Sequence, residues 1–462
     1  MDFQNTKDKL DKVGCGMCLA KWTQTTIYLH NGQTHSCHHP PTHPIPIEEI
    51  KRNPTALHNT KYKKFQRKRM LDGGRPKECD YCWNVEDNSN EFSDRIYKSN
   101  SEWSAPHYDK IIKNIDGKPY HLDWRENYNP SYVEVVFSSA CNLKCSYCAP
   151  HISTKWMEEI EKHGHYPTST KFNNLQHLKN VKAIPIPQRE PNPYVDAFWK
   201  WWPDLYRDLH TFRITGGEPL LSKDTFKVLD SIIEEENPNR ELVLSINTNM
   251  MVPDDLIDKF IEKVNIITKE KKVKEFQVFT SVDTWGKDAE YIRNGLIFDK
   301  FWNNCNKFLR ECPIPSLTFM VTYNALSVFN FDKFIEGVYE LKSNYLNEYR
   351  ICPPHSSIID ISYLRYPTHQ TVKVLPRETW SLIRKQVNLM KKLQRDDKGV
   401  EYFTDMEISK LERIFDWLRS KNDRKQLLRD KKDFGIFFRE HDKRRNTNFL
   451  ETFPLLEKLY GG

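Results

Sequence analysis

Short apolar segments alternate with helical stripes through the middle of the chain. Runs rich in Val, Ile, Leu and Phe begin at Tyr132, Phe212, Glu241, Val278 and Leu317, and each ends in glycine or small polar residues. Between these runs, apolar residues recur at every third or fourth position, which predicts amphipathic helices. The alternation favours a parallel α/β sheet or barrel, because each helix carries the chain back to the start of the next strand. The predicted helices are 223–236, a helix that begins at Pro253, 298–309 and 331–341.

The number of predicted strands limits the size of this domain. We count about six strands between residues 132 and 350, which is too few for a full eight-stranded barrel. A cysteine-rich segment precedes the strands, and mainly helical patterns follow them. We therefore predict three domains: an N-terminal cysteine-rich module over 1–125, a parallel α/β domain over 126–352, and a mainly helical C-terminal extension over 353–462.

The loop after the first run holds three cysteines within eight residues, Cys141, Cys145 and Cys148. Cysteine thiolates are the usual ligands of iron–sulfur clusters, and a closed [4Fe–4S] site normally takes four of them. Three thiolates at CxxxCxxC spacing leave one iron open, as a catalytic metal site requires. The alternative is a structural zinc knot, although the second CxxC pair of a zinc ribbon is missing from this loop.

This loop resembles the cluster-binding loop of the radical S-adenosylmethionine (SAM) enzymes, which follows the first strand of their barrel. The aromatic residue before the last cysteine, here Tyr147, fits the same pattern. The resemblance implies a partial (β/α)6 TIM-like barrel and a [4Fe–4S] cluster bound by Cys141, Cys145 and Cys148. It also implies that the open iron binds the amino and carboxylate groups of SAM.

A second motif, Gly216-Gly217-Glu218-Pro219, follows the run that begins at Phe212. Adjacent glycines let a backbone approach a ligand closely. In radical SAM enzymes this GGEP motif holds the methionine amine of SAM, so the resemblance implies the same role for this motif and for the Glu218 carboxylate.

Polar residues at the ends of the strands complete the implied SAM site, since ligands of parallel α/β folds bind at the carboxyl ends of strands. By resemblance, Asn247 and Ser281 contact the ribose, with Asn249 as the alternative to Asn247. Arg293 is expected to pair with the SAM carboxylate, because a guanidinium grips a carboxylate in a bidentate fork. The candidate cofactor-binding residues are Tyr147, Gly216, Gly217, Glu218, Pro219, Ser245, Asn247, Ser281, Asp283, Arg293, Thr322 and Asn324.

The N-terminal module holds a second set of cysteines. A β-hairpin is predicted over 26–37, with its turn at Asn31-Gly32, so that one cysteine lies on the hairpin. A distant CxxC pair can close a four-thiolate site with it. This arrangement resembles the twitch/SPASM auxiliary-cluster module, which in most members follows the barrel instead of preceding it. The predicted ligands of this second, auxiliary iron–sulfur cluster are Cys18, Cys37, Cys79 and Cys82.

Other thiols and imidazoles leave the identity of this metal open. Structural Zn²⁺ is the alternative to an iron–sulfur cluster, because four histidines nearby supply further ligands. Cys15 is a spare thiol or a fallback ligand. Three more cysteines show no ligand spacing and are expected to be small buried residues. The histidines are His35, His38, His39 and His43, and the three cysteines are Cys305, Cys312 and Cys352.

Composition indicates in which compartment, and with which partners, this chemistry is expected. Eleven cysteines in 462 residues, with two metal-type groups among them, favour a reducing compartment over a disulfide framework. Without a long apolar run or a signal peptide, we expect a cytoplasmic protein with no membrane partner. The net charge of +7 is dispersed and gives no strong nucleic-acid stripe, although the basic stretch over 419–445 leaves RNA open as a partner.

These motifs predict a radical SAM enzyme. A low-potential electron donor of the flavodoxin or ferredoxin type would reduce the cluster, and SAM would be cleaved to methionine and a 5′-deoxyadenosyl radical that abstracts hydrogen from a substrate. A peptide or protein is the first expected substrate. RNA, a nucleotide, a carbohydrate or another small molecule is the enzymatic alternative, and a zinc-stabilised binding module is the non-enzymatic one.

Overall fold

The computed structural model describes residues 2–115, 118–121, 123–345, 358–421 and 423–461. Nine strands of these residues form one mixed sheet at the centre of the molecule. In chain order these strands, β1 to β9, are Gln24–Tyr28, Gln33–His35, His43–Pro44, Tyr132–Val136, Thr211–Thr215, Val243–Thr248, Glu275–Ser281, Ser316–Tyr323 and Ile359–Tyr363. Two short antiparallel ribbons join Ile112–Ile115 to Lys118–His121 and Lys144–Cys145 to Arg293–Asn294.

Strands β4 to β9 lie side by side in chain order, and every neighbouring pair is parallel. Helices connect each strand to the next, as parallel pairing requires. This arrangement confirms the predicted partial barrel of six strands. The sixth strand, β9, lies beyond residue 352, and the division into three domains at residues 125 and 352 stays a prediction.

Helices surround this sheet and make up most of the C-terminal part. The α-helices are Phe3–Asp11, Ala20–Thr23, Ile47–Arg52, Lys61–Leu71, Asp80–Asn88, Asp94–Ser99, Tyr108–Ile111, Thr154–His163, Leu175–Asn180, Pro193–Asp208, Lys223–Glu234, Asp254–Lys269, Gly286–Ile292, Phe298–Glu311, Phe331–Ser343, Trp380–Lys392, Asp405–Arg419, Arg424–Arg445, Phe449–Thr452 and Glu457–Gly461. Short 3₁₀ helices lie at Pro54–Leu57, Lys77–Cys79, Ala105–His107, Pro219–Leu221, Thr368–Gln370, Val372–Val374, Arg377–Thr379 and Pro454–Leu456.

The two faces of the barrel strands differ in polarity. Along β8, Leu317, Phe319 and Val321 are buried, whereas Thr318 and Met320 between them are only partly buried. Successive side chains of a strand point to opposite faces, so the apolar set packs against the helices and the other set lines the lumen of the barrel. The lumen is therefore the polar and partly open side of the sheet.

The N-terminal module shares the sheet of the barrel. The predicted hairpin is confirmed, because β1 and β2 pair antiparallel with Thr26 opposite His35. Its turn contains Gly32, whose φ of +68° suits glycine. Strand β1 also pairs in parallel with β4, and Ile27 packs in the same hydrophobic core as Val135. The module thus adds a seventh parallel strand beside the first barrel strand.

Two hydrophobic cores follow from this layout. The larger core runs through the barrel and the C-terminal helices, and the smaller one lies inside the N-terminal module around Trp22, Met70 and Trp83. The long helix Arg424–Arg445 packs against the segment after the cysteine loop, where Phe437 stacks on Tyr166. No helix among the described residues is both long and apolar enough to cross a bilayer.

Candidate active site

The CxxxCxxC loop begins five residues after the end of β4 and is held in a defined turn. The amide of Cys148 donates to the carbonyl of Cys145 at 2.9 Å, and the indole Nε1 of Trp156 donates to the same carbonyl at 2.8 Å. The hydroxyl of Ser153 donates to the carbonyl of Leu143 at 3.0 Å. Because the helix Thr154–His163 starts at this serine, the loop closes directly onto its N-terminus.

A two-residue ribbon fixes the middle of this loop to the end of another crossover. Cys145 lies opposite Arg293, and Lys144 lies opposite Asn294. The amide of Ser146 adds a hydrogen bond to the carbonyl of Ile292 at 2.8 Å. The ribbon therefore sets the position of the central cysteine relative to the strand end at β7.

Arg293 joins the cysteine loop to the barrel through a buried polar network. Its Nη2 donates to the Tyr147 hydroxyl at 2.7 Å and to Asp283 Oδ1 at 2.9 Å, while its Nη1 lies 3.6 Å from the Sγ atom of Cys145. The amide of Thr322 also donates to Asp283 Oδ1 at 3.1 Å. Asp283 is completely buried. Although burial opposes the charge of Arg293, the carboxylate of Asp283 keeps the pKa of the guanidinium well above its usual value.

The three thiols suit an iron–sulfur cluster in chemistry and in environment. Burial raises the pKa of Cys141 to about 12 and raises the pKa values of Cys145 and Cys148 as well. The charges of Arg293 and Arg445 act in the opposite direction on Cys145 and favour its thiolate. Metal binding deprotonates cysteine ligands, and soft thiolates are the donors that iron–sulfur clusters use. The donor set therefore fits the cluster that the resemblance implies.

The GGEP motif packs directly against the start of the cysteine loop. The amide of Glu218 donates to the carbonyl of Ala140 at 2.7 Å, and the amide of Gly217 donates to Ser138 at 3.3 Å. A Cβ atom on Gly217 would lie 2.3 Å from the carbonyl oxygen of Ala140, so only glycine fits there. Gly216 has a φ of +143° and also lies close to Ser138. The two motifs that carry the sequence resemblance thus form one structural unit.

The carboxylate of Glu218 faces the protein. It accepts hydrogen bonds from the amide of Leu220 at 3.0 Å, the hydroxyl of Thr248 at 2.8 Å and the amide of Asn249 at 2.6 Å. Burial raises its pKa to about 7, although these hydrogen bonds lower it. The carboxylate therefore ties the GGEP loop and the adjoining Pro219 turn to the end of β6. That the Glu218 carboxylate contacts the SAM amine stays a prediction.

The remaining candidate residues divide into two groups. Ser245, Asn247, Ser281 and Thr322 lie on strands at positions that face the lumen, where a bound cofactor would meet them. Asn324 is 1% exposed and is engaged locally, because its side chain bonds Thr322 and Leu326.

Asn249 differs from Asn247 in its surroundings. The Nδ2 atom of Asn249 donates to Asn142 Oδ1 at 2.8 Å, and its Oδ1 accepts from the amide of Met251. Asn247 instead accepts from Arg213 within the lumen. The geometry favours Asn247 over Asn249 as a cofactor contact and gives Asn249 a place beside the cysteine loop. Which of the candidate side chains bind SAM stays a prediction.

A contact that the sequence pattern did not indicate comes from the end of the helix Arg424–Arg445. The side chain of Arg445 is completely buried, donates to the carbonyl of Lys144 at 2.6 Å and pairs with Glu159 at 2.9 Å. Its guanidinium also lies 4.7 Å from the ring of Trp156. Basic residues near a helix C-terminus are typical of a solvated helix end, so periodicity alone gave no sign of this contact.

In the N-terminal module, the four predicted ligands line one small cavity, with a volume of about 20 Å³, together with His39 and the cations Lys21, Arg95 and Lys98. Within the described residues, no three His, Cys, Asp or Glu side chains are grouped as ligands of a single metal ion. Cys305 and Cys312 are buried, whereas Cys352 lies outside the described residues. Four thiols therefore line one cavity, and thiolates are the donor type that both iron–sulfur clusters and zinc take, although the four are not grouped here around a single metal position. The four are Cys18, Cys37, Cys79 and Cys82.

Comparison with known families agrees with the geometry of the barrel site. Residues 135–327, which contain the cysteine loop, the GGEP motif and Arg293, match the family model of the Radical SAM superfamily. This part of the chain is therefore similar to the radical SAM superfamily, a class of enzymes whose cofactors are a [4Fe–4S] cluster and SAM.

Two curated relatives match parts of the chain. Molybdenum cofactor biosynthesis protein 1 of Dictyostelium discoideum is 24% identical over 296 residues, covering 61% of this chain and 41% of the relative. GTP 3′,8-cyclase of Aliarcobacter butzleri (strain RM4018) is 25% identical over 140 residues, covering 30% of this chain and 43% of the relative. The chain thus spans less than half the length of either relative.

Solved structures of native anSMEcpe resemble the chain over 55% of its length. The structure with bound AdoMet has a TM-score of 0.32 and 14% identity, with 58% of that chain covered. The structure with bound AdoMet and Cp18Cys peptide has a TM-score of 0.29 and 15% identity, again with 58% covered.

Proposed function

We propose that this chain reductively cleaves SAM at a [4Fe–4S] cluster held by Cys141, Cys145 and Cys148, and that it abstracts hydrogen from a substrate bound in the barrel. The observation that carries the proposal is the position of the three thiols. They lie on one loop that is fixed on one side by the GGEP motif and on the other by the Arg293–Asp283 pair. Three thiolates leave one iron of a cubane open to SAM.

The residues around this loop would have separate tasks. When bound and reduced, the cluster supplies the electron that splits SAM into methionine and a 5′-deoxyadenosyl radical. The backbone at Gly216 and Gly217 offers close approach to the methionine part of SAM. Asn247 and Ser281 offer polar groups on the lumen wall for the ribose. Arg293 holds the central cysteine, and its charge favours the thiolate there.

The electron must come from outside the chain, and radical SAM enzymes in general need a reductant. We propose a low-potential flavodoxin or ferredoxin as the donor. The cytoplasmic location inferred from composition is part of the same proposal, since such donors and free thiols share a reducing compartment.

Cluster assembly tests the ligand assignment. The anaerobically reconstituted wild type should bind about four irons more than the Cys141→Ala/Cys145→Ala/Cys148→Ala variant, one cubane by ligand count. Cys15→Ser serves as the matched control, because this thiol is exposed and lies outside both proposed ligand sets. Equal iron content in the wild type and the triple variant would refute the assignment.

A peptide or protein is the substrate class that we propose first. The curated relatives support a second candidate, a nucleotide, because one of them is named GTP 3′,8-cyclase. Substrate turnover separates the two classes: 5′-deoxyadenosine formation should rise when a mixed peptide library is added and should not respond to GTP. Stimulation by GTP alone, with deuterium transfer from deuterated GTP, would assign the nucleotide class instead. RNA is tested in the same assay as a third candidate substrate.

We also propose that the four N-terminal thiols hold an auxiliary [4Fe–4S] cluster. The cations Lys21 and Arg95 beside their cavity would offset the negative charge of such a group. The wild type should then contain about eight irons and Cys79→Ala about four. About four irons with stoichiometric zinc in the wild type would replace this cluster by a structural zinc site, whose removal should unfold the module.

A further inference from the structure

A row of polar side chains crosses the lumen from the N-terminal module into the barrel. The register of the parallel strands places Thr26 beside Glu134, Glu134 beside Arg213, and Arg213 beside Ser245. Partners in register share a face of the sheet, so these four side chains lie on the lumen side. Glu134 and Arg213 are both partly open to solvent. The row thus presents one negative and one positive charge next to each other.

These two charged neighbours are each bonded to a neutral group. Glu134 Oε1 accepts from the hydroxyl of Thr215 at 3.1 Å. Arg213 Nε donates to Asn247 Oδ1 at 2.9 Å, and its guanidinium lies 4.6 Å from the ring centroid of Phe279. Within the described part of the chain, neither forms an ion pair with a Lys, Arg, Asp or Glu side chain, although Glu134 acts on the nearby imidazole of His38 and Arg213 is also bonded to Tyr132. A positive and a negative group on adjacent strands remain available to a ligand.

A buried polar atom beside Glu134 also lacks a partner. Thr26 is 1% exposed, yet its Oγ1 atom has no hydrogen-bond partner among the described residues. The ring of His35 stacks on Tyr28 at 5.7 Å, and Tyr28 is close enough to Glu134 for this charge to raise its pKa, after the larger effect of burial. Most buried polar groups in proteins are paired, so an unpaired one beside a charged row indicates a place for a ligand.

This row lies deeper in the barrel than the GGEP motif. Arg213 precedes Gly216 by three residues on one strand, which corresponds to about 10 Å along the strand. A group bound at Arg213 would therefore lie below the GGEP motif, next to Asn247 and beside the wall that the N-terminal module contributes. A guanidinium binds carboxylates and phosphates, and a carboxylate accepts from N–H or O–H donors.

We propose that Arg213 and Glu134 form a substrate subsite, in which Arg213 binds an anionic group, a carboxylate or a phosphate, and Glu134 accepts a hydrogen bond from a neighbouring donor of the same molecule. The proposal rests on the function proposed above, since it names the chemistry of the substrate in that same lumen. It also gives the N-terminal strand a direct part in substrate binding, through Thr26.

Calorimetric titration of the full chain with two probes tests the subsite. Inorganic pyrophosphate represents the phosphate source, and succinate represents the carboxylate source. At least one probe should bind the wild type, and Arg213→Gln should weaken its binding tenfold or more, since a hydrogen bond to a charged group is lost. Glu134→Gln should strengthen binding of the same probe, because it removes a neighbouring negative charge. Arg310→Gln, an exposed residue on an outer helix, is the matched control and should leave binding unchanged.

Arg213→Gln and Glu134→Gln are expected to change probe affinity in opposite directions, so the test stays decisive even if one of the two variants folds poorly. Failure of both probes to bind the wild type, or equal affinities in wild type and Arg213→Gln, would overturn the subsite. Displacement of the probe by SAM would also overturn it, because the pair would then belong to the cofactor site. Titration of the triple cysteine variant separates this inference from the proposed function: probe binding there should persist, whereas its SAM cleavage should not.

Discussion

Single residues at the junction of the two motifs decide whether the cysteine loop and the GGEP loop can meet. A side chain at position 217 would have no room. The carboxylate of Glu218 accepts hydrogen bonds from Leu220, Thr248 and Asn249, which all belong to the protein itself. These residues hold the loops in position, and the backbone, more than the carboxylate, is exposed for cofactor contact. Two predictions follow at this scale.

Gly217→Ala should destabilise the site. The new Cβ atom would meet the carbonyl oxygen of Ala140 at 2.3 Å, and overpacking of this kind costs about 1–3 kcal/mol. Thermal unfolding should show a lower Tm, and reconstituted protein should retain less iron. Gly461→Ala is the control, because open space surrounds that glycine. A Tm and an iron content like those of the wild type would show that the loops tolerate separation.

Glu218 should leave a signature in the pH dependence of stability. Its pKa is raised from 4.5 to about 7, so the folded chain binds more protons than the unfolded chain in this range. Its contribution to the free energy of unfolding must therefore fall as the pH rises from about 4.5 to 7, by up to about 3 kcal/mol. Glu218→Gln should flatten the Tm profile of metal-free protein across this range, whereas exposed Glu161→Gln should not. Parallel profiles for wild type and Glu218→Gln would contradict the assignment.

At the scale of elements, the C-terminal helix Arg424–Arg445 acts as a support for the cysteine loop. Arg445 reaches the carbonyl of Lys144 and the carboxylate of Glu159, which itself bonds Lys144 and Tyr166. One side chain near the end of the chain therefore links the helix that follows the loop to the loop itself.

Arg445→Ala should loosen the loop, because it removes one of the two cations that pair with buried Glu159. The cost should stay below the roughly 3–5 kcal/mol of a fully unpaired buried charge, since Lys144 still pairs with Glu159. Hydrogen exchange should become faster for the amides of 144–148, including Ser146, which bonds the carbonyl of Ile292. Arg429→Ala, on the exposed side of the same helix, should change nothing. Unchanged exchange at Ser146 in Arg445→Ala would mean that the loop holds its shape without the helix.

Local elements such as strands and turns could be predicted from the sequence, whereas the pairing of distant strands and the contacts between distant residues could not. The apolar run at Phe212 predicted the strand β5, and the pair Asn31-Gly32 predicted the hairpin turn, because such signals are local. The parallel pairing of β1 with β4 and the contact of Arg445 with the loop depend on residues about a hundred or more positions apart, which local periodicity cannot report. The candidate cofactor residues came from motifs, and their roles toward SAM are still predictions.

At the scale of the whole molecule, the N-terminal module and the barrel share one sheet. Strand β1 carries the N-terminal module into the barrel, and the lumen row from Thr26 to Ser245 spans both parts.

A consequence is that the module and the barrel should unfold together. Ile27 is completely buried in the shared core, so Ile27→Ala should cost about 2–5 kcal/mol and lower the Tm of one common transition. Ile47→Ala, whose side chain is 42% exposed, is the control. A separate early transition, with the barrel transition unmoved, would show that the two parts are independent.

The most direct test of the account is the formation of 5′-deoxyadenosine from SAM by the anaerobically reconstituted full chain under dithionite. The account predicts that the wild type, Cys15→Ser and Cys79→Ala form it, whereas Cys141→Ala/Cys145→Ala/Cys148→Ala forms none above the protein-free background. Formation by the triple variant at the wild-type rate, or no formation by a wild type that carries its full iron, would contradict the claim that this loop binds the cluster that cleaves SAM.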